Sequence, residues 1–361
     1  MEKIVKLFTE DTVTDISPLG NGHINSTYCV ELCRPSGEKY RIVLQKINNY
    51  VFPDVDGLMS NICKVTDYLR QHLKPGENPD RAVLKVLPSL AGNSYEKTDD
   101  GYYRCFAMIE DTVTYQIIEN PQDFYRCAAA FADFHKRLAD FPADTLCETI
   151  VNFHNTFSRY ENLIKAVENN ISGRKENAVA EIQACLCRRD LALKIVTLLD
   201  NGTIPLRVVH NDTKLNNILF DKRTNKPLCI VDLDTVMPGA ACYDFGDAIR
   251  SGGSGAKEDE HDLSKVSLNM ELFEACAAGY LSVAKDFLTD AEIDSLAVAP
   301  LVITFENALR FLTDYLDGDV YFRTAYAEHN LFRCRMHLKL VEDMEQKLPQ
   351  MKKIIRKYAG K

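Results

Sequence analysis

The sequence predicts a bilobal α+β fold, with a small β-rich lobe at the amino terminus and a larger, mostly helical lobe after it. Three observations support this prediction. The first hundred residues contain short runs rich in β-branched and aromatic residues, separated by glycine, proline and aspartate. Beyond about residue 120, apolar residues recur at helical spacing. Between residues 206 and 234, two apolar runs predict the main β element of the second lobe.

In the first lobe, strands are predicted over residues 26–32, 40–46 and 102–109, where β-branched and aromatic residues are enriched. One helix is predicted over residues 56–73, after the turn Phe52-Pro53-Asp54. We therefore expect a β-rich lobe interrupted by a single helix.

A short joint at residues 108–111 is expected to end this lobe, which gives lobes of residues 1–110 and 111–361. Pro121 opens the first helix of the second lobe, in which apolar residues recur at helical spacing up to Leu138. Further helices are predicted over residues 155–170, 176–200, 268–285, 290–317 and 330–357. The glycine-rich run at 252–255 predicts a flexible loop.

Composition narrows the class of protein. With 361 residues, 46% hydrophobic and 26% charged, the chain has ordinary globular composition. Its net charge of −9 argues against a nucleic-acid partner. The twelve cysteines are too scattered for a zinc site, and several lie in apolar runs, as reduced and buried thiols do, which favours a reducing compartment. No run has the length of a signal peptide core or a membrane span, so we expect a cytoplasmic protein with no membrane and no obligatory protein partner.

The most informative motif places His210, Asp212 and Asn217 directly after one apolar run, and Asp232 and Asp234 after the next. Amide and carboxylate oxygens are the ligands that Mg²⁺ prefers, and a separate carboxylate is able to accept a proton from an attacking hydroxyl. Phosphoryl transfer needs little more than these parts. The alternative is that single Asp and Asn residues merely cap turns.

Between these two groups the sequence predicts a hairpin about Thr224-Asn225. Such a hairpin would pair residue 217 with 232 and residue 221 with 228. It would place Asn217 beside Asp232 at its open end, one short loop away from Asp212.

The spacing of His210, Asp212 and Asn217, followed by Ile230-Val231-Asp232, resembles the aminoglycoside phosphotransferase family of small-molecule kinases. The resemblance implies a protein-kinase-like fold. It also implies that ATP lies between the lobes, with its adenine bonded to the joint around Glu110.

For the chemistry, the same resemblance implies that Asp212 is the base that takes the proton of the acceptor hydroxyl. Asn217 and Asp232 are implied to bind Mg²⁺. Asp234 is implied to be a further metal ligand or a supporting partner of these residues.

Longer stretches are similar to the members of this family that phosphorylate N-acetylhexosamines. These stretches are residues 20–28, 210–219, 232–239, 244–247 and 310–322. They imply phosphorylation of the anomeric C1 hydroxyl of N-acetylglucosamine or N-acetylgalactosamine by ATP and Mg²⁺, giving a hexosamine 1-phosphate in glycan salvage. The positions that match the sugar pocket are His23, Arg104, Arg310 and Tyr321.

On the nucleotide side, Gly20 and Gly22 are candidates for phosphate contact, although a turn between strands is an equally good interpretation of a lone glycine pair. Lys46 is the candidate strand lysine. It lies one place beyond the family's basic position, and strand alternation sends its neighbour Gln45 to the opposite face.

Two polar residues are predicted to support the catalytic loop. Asp244-Phe245-Gly246 spells the metal-binding motif of protein kinases but lies well beyond the hairpin. The resemblance implies that Asp244 buttresses the catalytic loop, and His210 is expected to lock that loop.

Alternative functions remain open at this point. One is a kinase of the same family for an aminoglycoside, choline or homoserine acceptor. Another is a catalytically inactive kinase fold that acts as a binding module, which predicts the loss of Asp212, Asn217 or Asp232. All three residues are present.

Overall fold

A computed structural model describes residues 1–20, 24–118 and 120–361 of the chain. The chain divides into two compact units, and it enters the first of them three times. The first unit comprises Met1–Thr114, Asp140–Val151 and Ile218–Met237. The second comprises Tyr115–Ala139, Asn152–Asn217 and Pro238–Lys361.

The helices and strands follow one another along the chain in an order that is β-rich first and helical afterwards. Up to residue 114 they are α1 (Glu2–Val5), β1 (Thr12–Pro18), β2 (Ser26–Cys33), β3 (Lys39–Ile47), α2 (Val55–Gln71), α3 (Pro79–Ala82), β4 (Val86–Leu87), β5 (Glu96–Thr98), β6 (Gly101–Ala107) and β7 (Thr112–Val113). Beyond it they are α4 (Pro121–Arg137), α5 (Thr156–Asn169), α6 (Val179–Leu186), α7 (Arg189–Asp200), β8 (Arg207–Val209), β9 (Ile218–Asp221), β10 (Pro227–Ile230), β11 (Met237–Gly239), α8 (Ala241–Gly252), α9 (Met270–Ala284), α10 (Asp290–Leu296), α11 (Ala299–Asp317) and α12 (His329–Ala359).

The main sheet of the first unit has the order β1-β2-β3-β6-β4, with β5 also pairing with β6. The pairings of this sheet are antiparallel. Alternation sends one set of side chains, including Leu32, Leu44 and Cys105, into a core that α1 covers with Val5. The opposite face of β3 and β6 carries Gln45 and Arg104, which are cross-strand partners.

A second sheet of the first unit has the order β10-β9-β7 and contains the predicted hairpin. Ile218 pairs with Ile230 and Phe220 with Pro227, with an irregularity before residue 229. The predicted pairing of residue 217 with 232 and residue 221 with 228 was therefore wrong. The turn is tighter than expected, because the Asp221 carboxylate accepts from the Thr224 N–H and hydroxyl and the Asp221 N–H bonds the Lys226 carbonyl.

The second unit is built around α11, in which fifteen of nineteen residues are buried. A helix that is apolar nearly all round is expected at the centre of a bundle. Its few buried polar residues, Thr304, Glu306 and Asp314, therefore call for partners. Among the described residues no single helix is long and apolar enough to cross a membrane, and α10 with α11 meets that test only as a pair bent by 56°.

Several predicted elements differ from the structure. The predicted helix over 176–200 is two helices, α6 and α7, and the one over 290–317 is α10 and α11. The second break precedes Pro300, which sits in the first turn of α11, where its missing N–H leaves no intrahelical hydrogen bond unmade. β1 and α8 were not predicted.

Candidate active site

Asp212 and Asn217 lie together in the loop that follows β8 in the second unit. Asn211 has a left-handed backbone (φ 64°), which turns the chain just after the strand. A 3₁₀ turn over Leu215–Asn217 then brings the Asn217 side chain back to Asp212. Its Nδ2 donates to the Asp212 carbonyl at 2.8 Å and to Asp212 Oδ2 at 3.0 Å. The Asn217 Oδ1 accepts no hydrogen bond from the described residues.

Lys214 is a site residue that the sequence argument missed. Its Nζ lies 2.7 Å from Asp212 Oδ1, and its side chain is half exposed. Burial lowers the pKa of Lys214, but the Asp212 carboxylate more than offsets this, so the pKa is raised and the amine stays charged. The sequence does contain a signal for this contact, because Lys214 follows Asp212 by two residues in the same short loop.

Asp244 holds the backbone of this loop from inside the unit. Its Oδ2 accepts from the His210 N–H and from His135 Nε2, each at 2.7 Å, and its Oδ1 accepts from the Asn211 N–H at 2.7 Å. Burial alone would raise the pKa of Asp244. The His135 hydrogen bond and the neighbouring charges have a larger, opposite effect, so the pKa is lowered and the carboxylate is ionised. The His210 ring packs edge-on against Phe131, with centroids 5.4 Å apart.

Asp247, one turn further along α8, completes the scaffold. Its Oδ2 accepts from the Thr213 N–H at 3.0 Å, and its Oδ1 pairs with Arg250 at 2.8 Å. α8 thus fixes the backbone of His210 and Asn211 before Asp212 and of Thr213 after it. It carries no residue that was predicted to react.

In the first unit, Asp232 follows β10 in a left-handed conformation (φ 60°), and a 3₁₀ turn over Leu233–Thr235 comes next. The Asp234 side chain is buried and both of its oxygens have neighbours. Arg104 Nη2 lies 2.6 Å from Oδ1, and Asn25 Nδ2 donates to Oδ2 at 2.6 Å. The Thr149 hydroxyl also donates to the Asp234 carbonyl at 2.8 Å. Asp234 is therefore held as an anchor of its segment.

Arg104, a predicted sugar residue, is 1% exposed within the first unit. In addition to its ion pair with Asp234, its guanidinium donates through Nε and Nη2 to Gln45 Oε1 at 3.0 and 2.8 Å. Lys46 lies on the opposite face of β3, where its Nζ pairs with Asp100 at 2.9 Å. The positive charge beside Asp234 is thus supplied by Arg104 on β6 and not by the predicted strand lysine.

Gly20 and Glu110, two more of the predicted nucleotide residues, lie in the first unit. Gly20 has a φ of 73°, which favours glycine. Gly22 and His23 lie outside the described residues. The Glu110 carboxylate pairs with Arg41, and its carbonyl accepts from Arg81 Nη1 at 3.0 Å.

Arg310, on α11, lies in a box of aromatic rings in the second unit. Its Cζ is 5.7, 5.9 and 5.3 Å from the ring centroids of Phe153, Tyr321 and Phe322. It makes no hydrogen bond or ion pair with any residue that the structure describes. Burial and the charge of Arg310 lower the pKa of the neighbouring Arg159, whose Nη2 donates to the Phe153 carbonyl at 3.3 Å.

The loop that carries Tyr321 and Phe322 is fixed by one buried carboxylate. Asp314 accepts from the N–H groups of these two residues at 2.7 and 3.0 Å, and from Asn330 Nδ2 at 2.8 Å. The Tyr321 ring itself is half exposed. Backbone hydrogen bonds to Asp314 therefore position two of the three rings around Arg310, those of Tyr321 and Phe322.

A β-sheet unit and a helical unit, with an acid–amide pair in the loop after β8, place the chain in the class of kinase-like phosphotransferases. The chain belongs to the phosphotransferase enzyme family, whose sequence model matches residues 15–266.

Solved structures show the same fold at low identity. An aminoglycoside phosphotransferase from Alicyclobacillus acidocaldarius is 12% identical, with a TM-score of 0.59 over 99% of this chain and 96% of that one. An amicoumacin kinase in complex with AMP-PNP, Ca²⁺ and its ligand is 15% identical, with a TM-score of 0.59 over 96% and 92%. A choline kinase from Cryptosporidium parvum is 15% identical, with a TM-score of 0.53 over 96% and 93%.

Proposed function

We propose that this member of the family is an ATP- and Mg²⁺-dependent kinase that phosphorylates the anomeric C1 hydroxyl of N-acetylhexosamines. The observation that carries the choice of acceptor is the Arg310 guanidinium, which is boxed by three aromatic rings and has no ion-pair partner among the described residues. The product is a hexosamine 1-phosphate.

The charges around Arg310 favour a neutral acceptor. Arg310 and Arg159 place two positive charges together, and the nearby Glu306 carboxylate is already bonded to other groups. A cationic acceptor, such as an aminoglycoside or choline, would add a like charge to a partly desolvated site, which is unfavourable. A neutral sugar instead offers oxygens to the guanidiniums and an apolar ring face to the aromatic residues.

The reaction chemistry rests on Asp212. Its carboxylate accepts the proton of the sugar C1 hydroxyl as O1 bonds to the γ-phosphorus and the bond from that phosphorus to the β-bridging oxygen breaks, which releases ADP. Asn217 fixes the Asp212 side chain through Oδ2, and Lys214 places a positive charge at its other oxygen. Lys214 is thus positioned to balance negative charge next to the acceptor.

Magnesium would be held by Asn217 and Asp232. The donor set suits the ion, because the Asn217 Oδ1 has no hydrogen bond from the described residues and an amide oxygen with a carboxylate is typical of Mg²⁺ sites. The described residues contain no cluster of three His, Cys, Asp or Glu side chains that would hold a metal by themselves, so water and phosphate oxygens would complete the shell. When bound, the ion neutralises negative charge on the phosphates. Asp234 would support Asp232 through the anchored segment.

On the nucleotide side we assign Gly20, Gly22 and the backbone around Glu110 to ATP contact. Lys46 has the least support for a contact with ATP, because its amine pairs with Asp100 on the face of β3 opposite to Gln45. For the sugar we assign His23, Arg310 and Tyr321. Arg104 would act on the sugar only if its bonds to Gln45 were exchanged.

An acceptor screen tests the proposal. ATP consumption is measured with free hexoses, N-acetylglucosamine, N-acetylgalactosamine, glucosamine, homoserine, choline and an aminoglycoside, and ³¹P NMR places the new phosphate at C1 or C6. We expect turnover with the two N-acetylhexosamines and a phosphate at C1. Turnover with choline, homoserine or the aminoglycoside alone would overturn the assignment and favour another kinase of the family.

A further inference from the structure

We propose that His154, oriented by Glu306, recognises the amide N–H of the acceptor's acetamido group through its Nε2. The proposal rests on the proposed function and names the residue that selects the N-acetylated sugar. His154 is not one of the residues that the sequence suggested for the sugar pocket.

The His154 ring is fixed by a carboxylate in the centre of the second unit. Glu306 is fully buried on α11. Its Oε1 lies 2.8 Å from His154 Nδ1, and its Oε2 accepts from the Thr156 hydroxyl at 2.8 Å. Both carboxylate oxygens are thus occupied, and the imidazole has one defined orientation.

The proton assignment follows from Glu306. Burial raises the pKa of the Glu306 carboxyl, but the His154 contact and the charges of Arg310 and Arg159 more than offset this and lower it. An ionised carboxylate only accepts, so Nδ1 carries the imidazole proton and donates it to Glu306. Nε2 is then left as a hydrogen-bond acceptor.

Nε2 has no hydrogen-bond partner among the described residues although it is buried. The whole His154 side chain is 7% exposed. A buried acceptor without a donor costs free energy, and most such groups in folded proteins are satisfied by protein, water or ligand. A ligand that brings a donor to this nitrogen would be selected over one that does not.

The position of His154 is consistent with acceptor contact. Its ring centroid lies 4.6 Å from that of Phe153, whose ring also faces Arg310 at 5.7 Å. Glu306, which bonds His154, lies one turn before Arg310 on α11, so His154 lies beside the Arg310 box.

The three neighbouring groups match the three parts of an acetamide. The Arg310 guanidinium donates to the carbonyl oxygen, the Phe153 ring packs against the methyl group, and His154 Nε2 accepts from the N–H. A sugar that carries a hydroxyl or an ester at C2 matches only part of this set. Sites built to bond a substrate N–H or O–H discriminate strongly against analogues that lack it.

The test is a double-mutant cycle between the protein and the substrate. The kcat/KM for N-acetylglucosamine is compared with that for 2-O-acetylglucose, in which an ester oxygen replaces the N–H, in the wild-type protein and in His154→Phe. We expect the wild-type protein to prefer the amide by about tenfold to a hundredfold. In His154→Phe the preference should fall to about threefold or less, with the KM for ATP unchanged.

Two controls keep the result interpretable. His72→Phe replaces an exposed histidine on the first unit and should retain the wild-type preference. Glu306→Gln should weaken the preference, because the amide no longer fixes the imidazole tautomer. If His154→Phe does not fold, the amide-over-ester ratio of the wild-type protein still tests the proposal.

An equal decrease of kcat/KM for both substrates in His154→Phe would overturn the role of His154. So would equal kcat/KM values for the amide and the ester in the wild-type protein. Absence of any activity with N-acetylhexosamines in the wild-type protein would instead overturn the proposed function. The two failures are therefore distinguishable.

Discussion

The carboxylate of Asp212 lies between two donors of different kinds. Asn217 Nδ2 bonds one oxygen, and Lys214 Nζ lies 2.7 Å from the other. In Asp212→Asn the side chain keeps its shape and loses its basicity. We expect kcat to fall by about a hundredfold or more, as for loss of a general base, while ATP binding measured by calorimetry persists. Asp99→Asn, at an exposed position, is the matched control, and an unchanged kcat in Asp212→Asn would remove this residue from the mechanism.

Arg104 and Asp234 form a nearly fully buried ion pair, with side chains 2% and 4% exposed. Removing one partner of such a pair leaves an uncompensated charge. Arg104→Met should therefore lower the free energy of unfolding by about 3–5 kcal/mol in urea denaturation. The double variant Arg104→Met with Asp234→Asn removes the stranded charge and should regain part of that loss. A double variant as unstable as the sum of the single ones would contradict the pairing.

At the scale of the elements, α4 and α9 approach closely where α9 carries Gly279. A Cβ at Gly279 would overlap the backbone carbonyl of Tyr125 on α4, and backbone yields less readily than a flexible side chain. We expect Gly279→Ala to destabilise the protein by about 1–3 kcal/mol, measured as a shift in the urea midpoint. Gly255→Ala is the control, since its Cβ would meet nothing within 4 Å. Equal midpoints for the two variants would show that the helices separate without cost.

The elements also show what sequence patterns detect. Strong periodicity located α2, α4, α5, α9 and α12 to within a few residues, because each buries one apolar face. α8 was missed because glycines and aspartates interrupt its sequence, and because almost all of it is buried so that it has no polar face. The hairpin was predicted but its strand register was wrong. The Asp221 side chain tightens the turn through hydrogen bonds, and these do not show in the alternation of apolar residues.

For the whole molecule, acid stability depends partly on His337, which is buried in α12. Burial lowers the pKa of His337 from 6.5 to about 4. Between these values the unfolded chain binds a proton that the folded chain does not, so stability is complete above pH 6.5 and is lost as the pH falls toward 4. We expect a loss of about 2–3 kcal/mol between pH 7 and pH 4.5 from this group.

The comparison variant is His337→Gln, which does not titrate. Its free energy of unfolding should depend less on pH in this window than that of the wild-type protein, as measured by urea denaturation at pH 7.0, 5.5 and 4.5. His72→Gln, at an exposed histidine, should keep the wild-type slope. Parallel pH profiles for all three proteins would show that His337 is not the group responsible.

The sequence by itself determined the order of β-rich and helical regions and the Asp–Asn spacing of the loop that follows β8. Both are local properties, since a strand or helix pattern and an Asp–Asn spacing depend only on neighbours along the chain. The tertiary structure alone decided that residues 140–151 and 218–237 join the first unit, that Arg104 pairs with Asp234, and that Glu306 orients His154. These contacts join residues that are far apart in the sequence. Buried polar groups need partners, but which groups pair depends on the fold and leaves no periodic pattern in the chain.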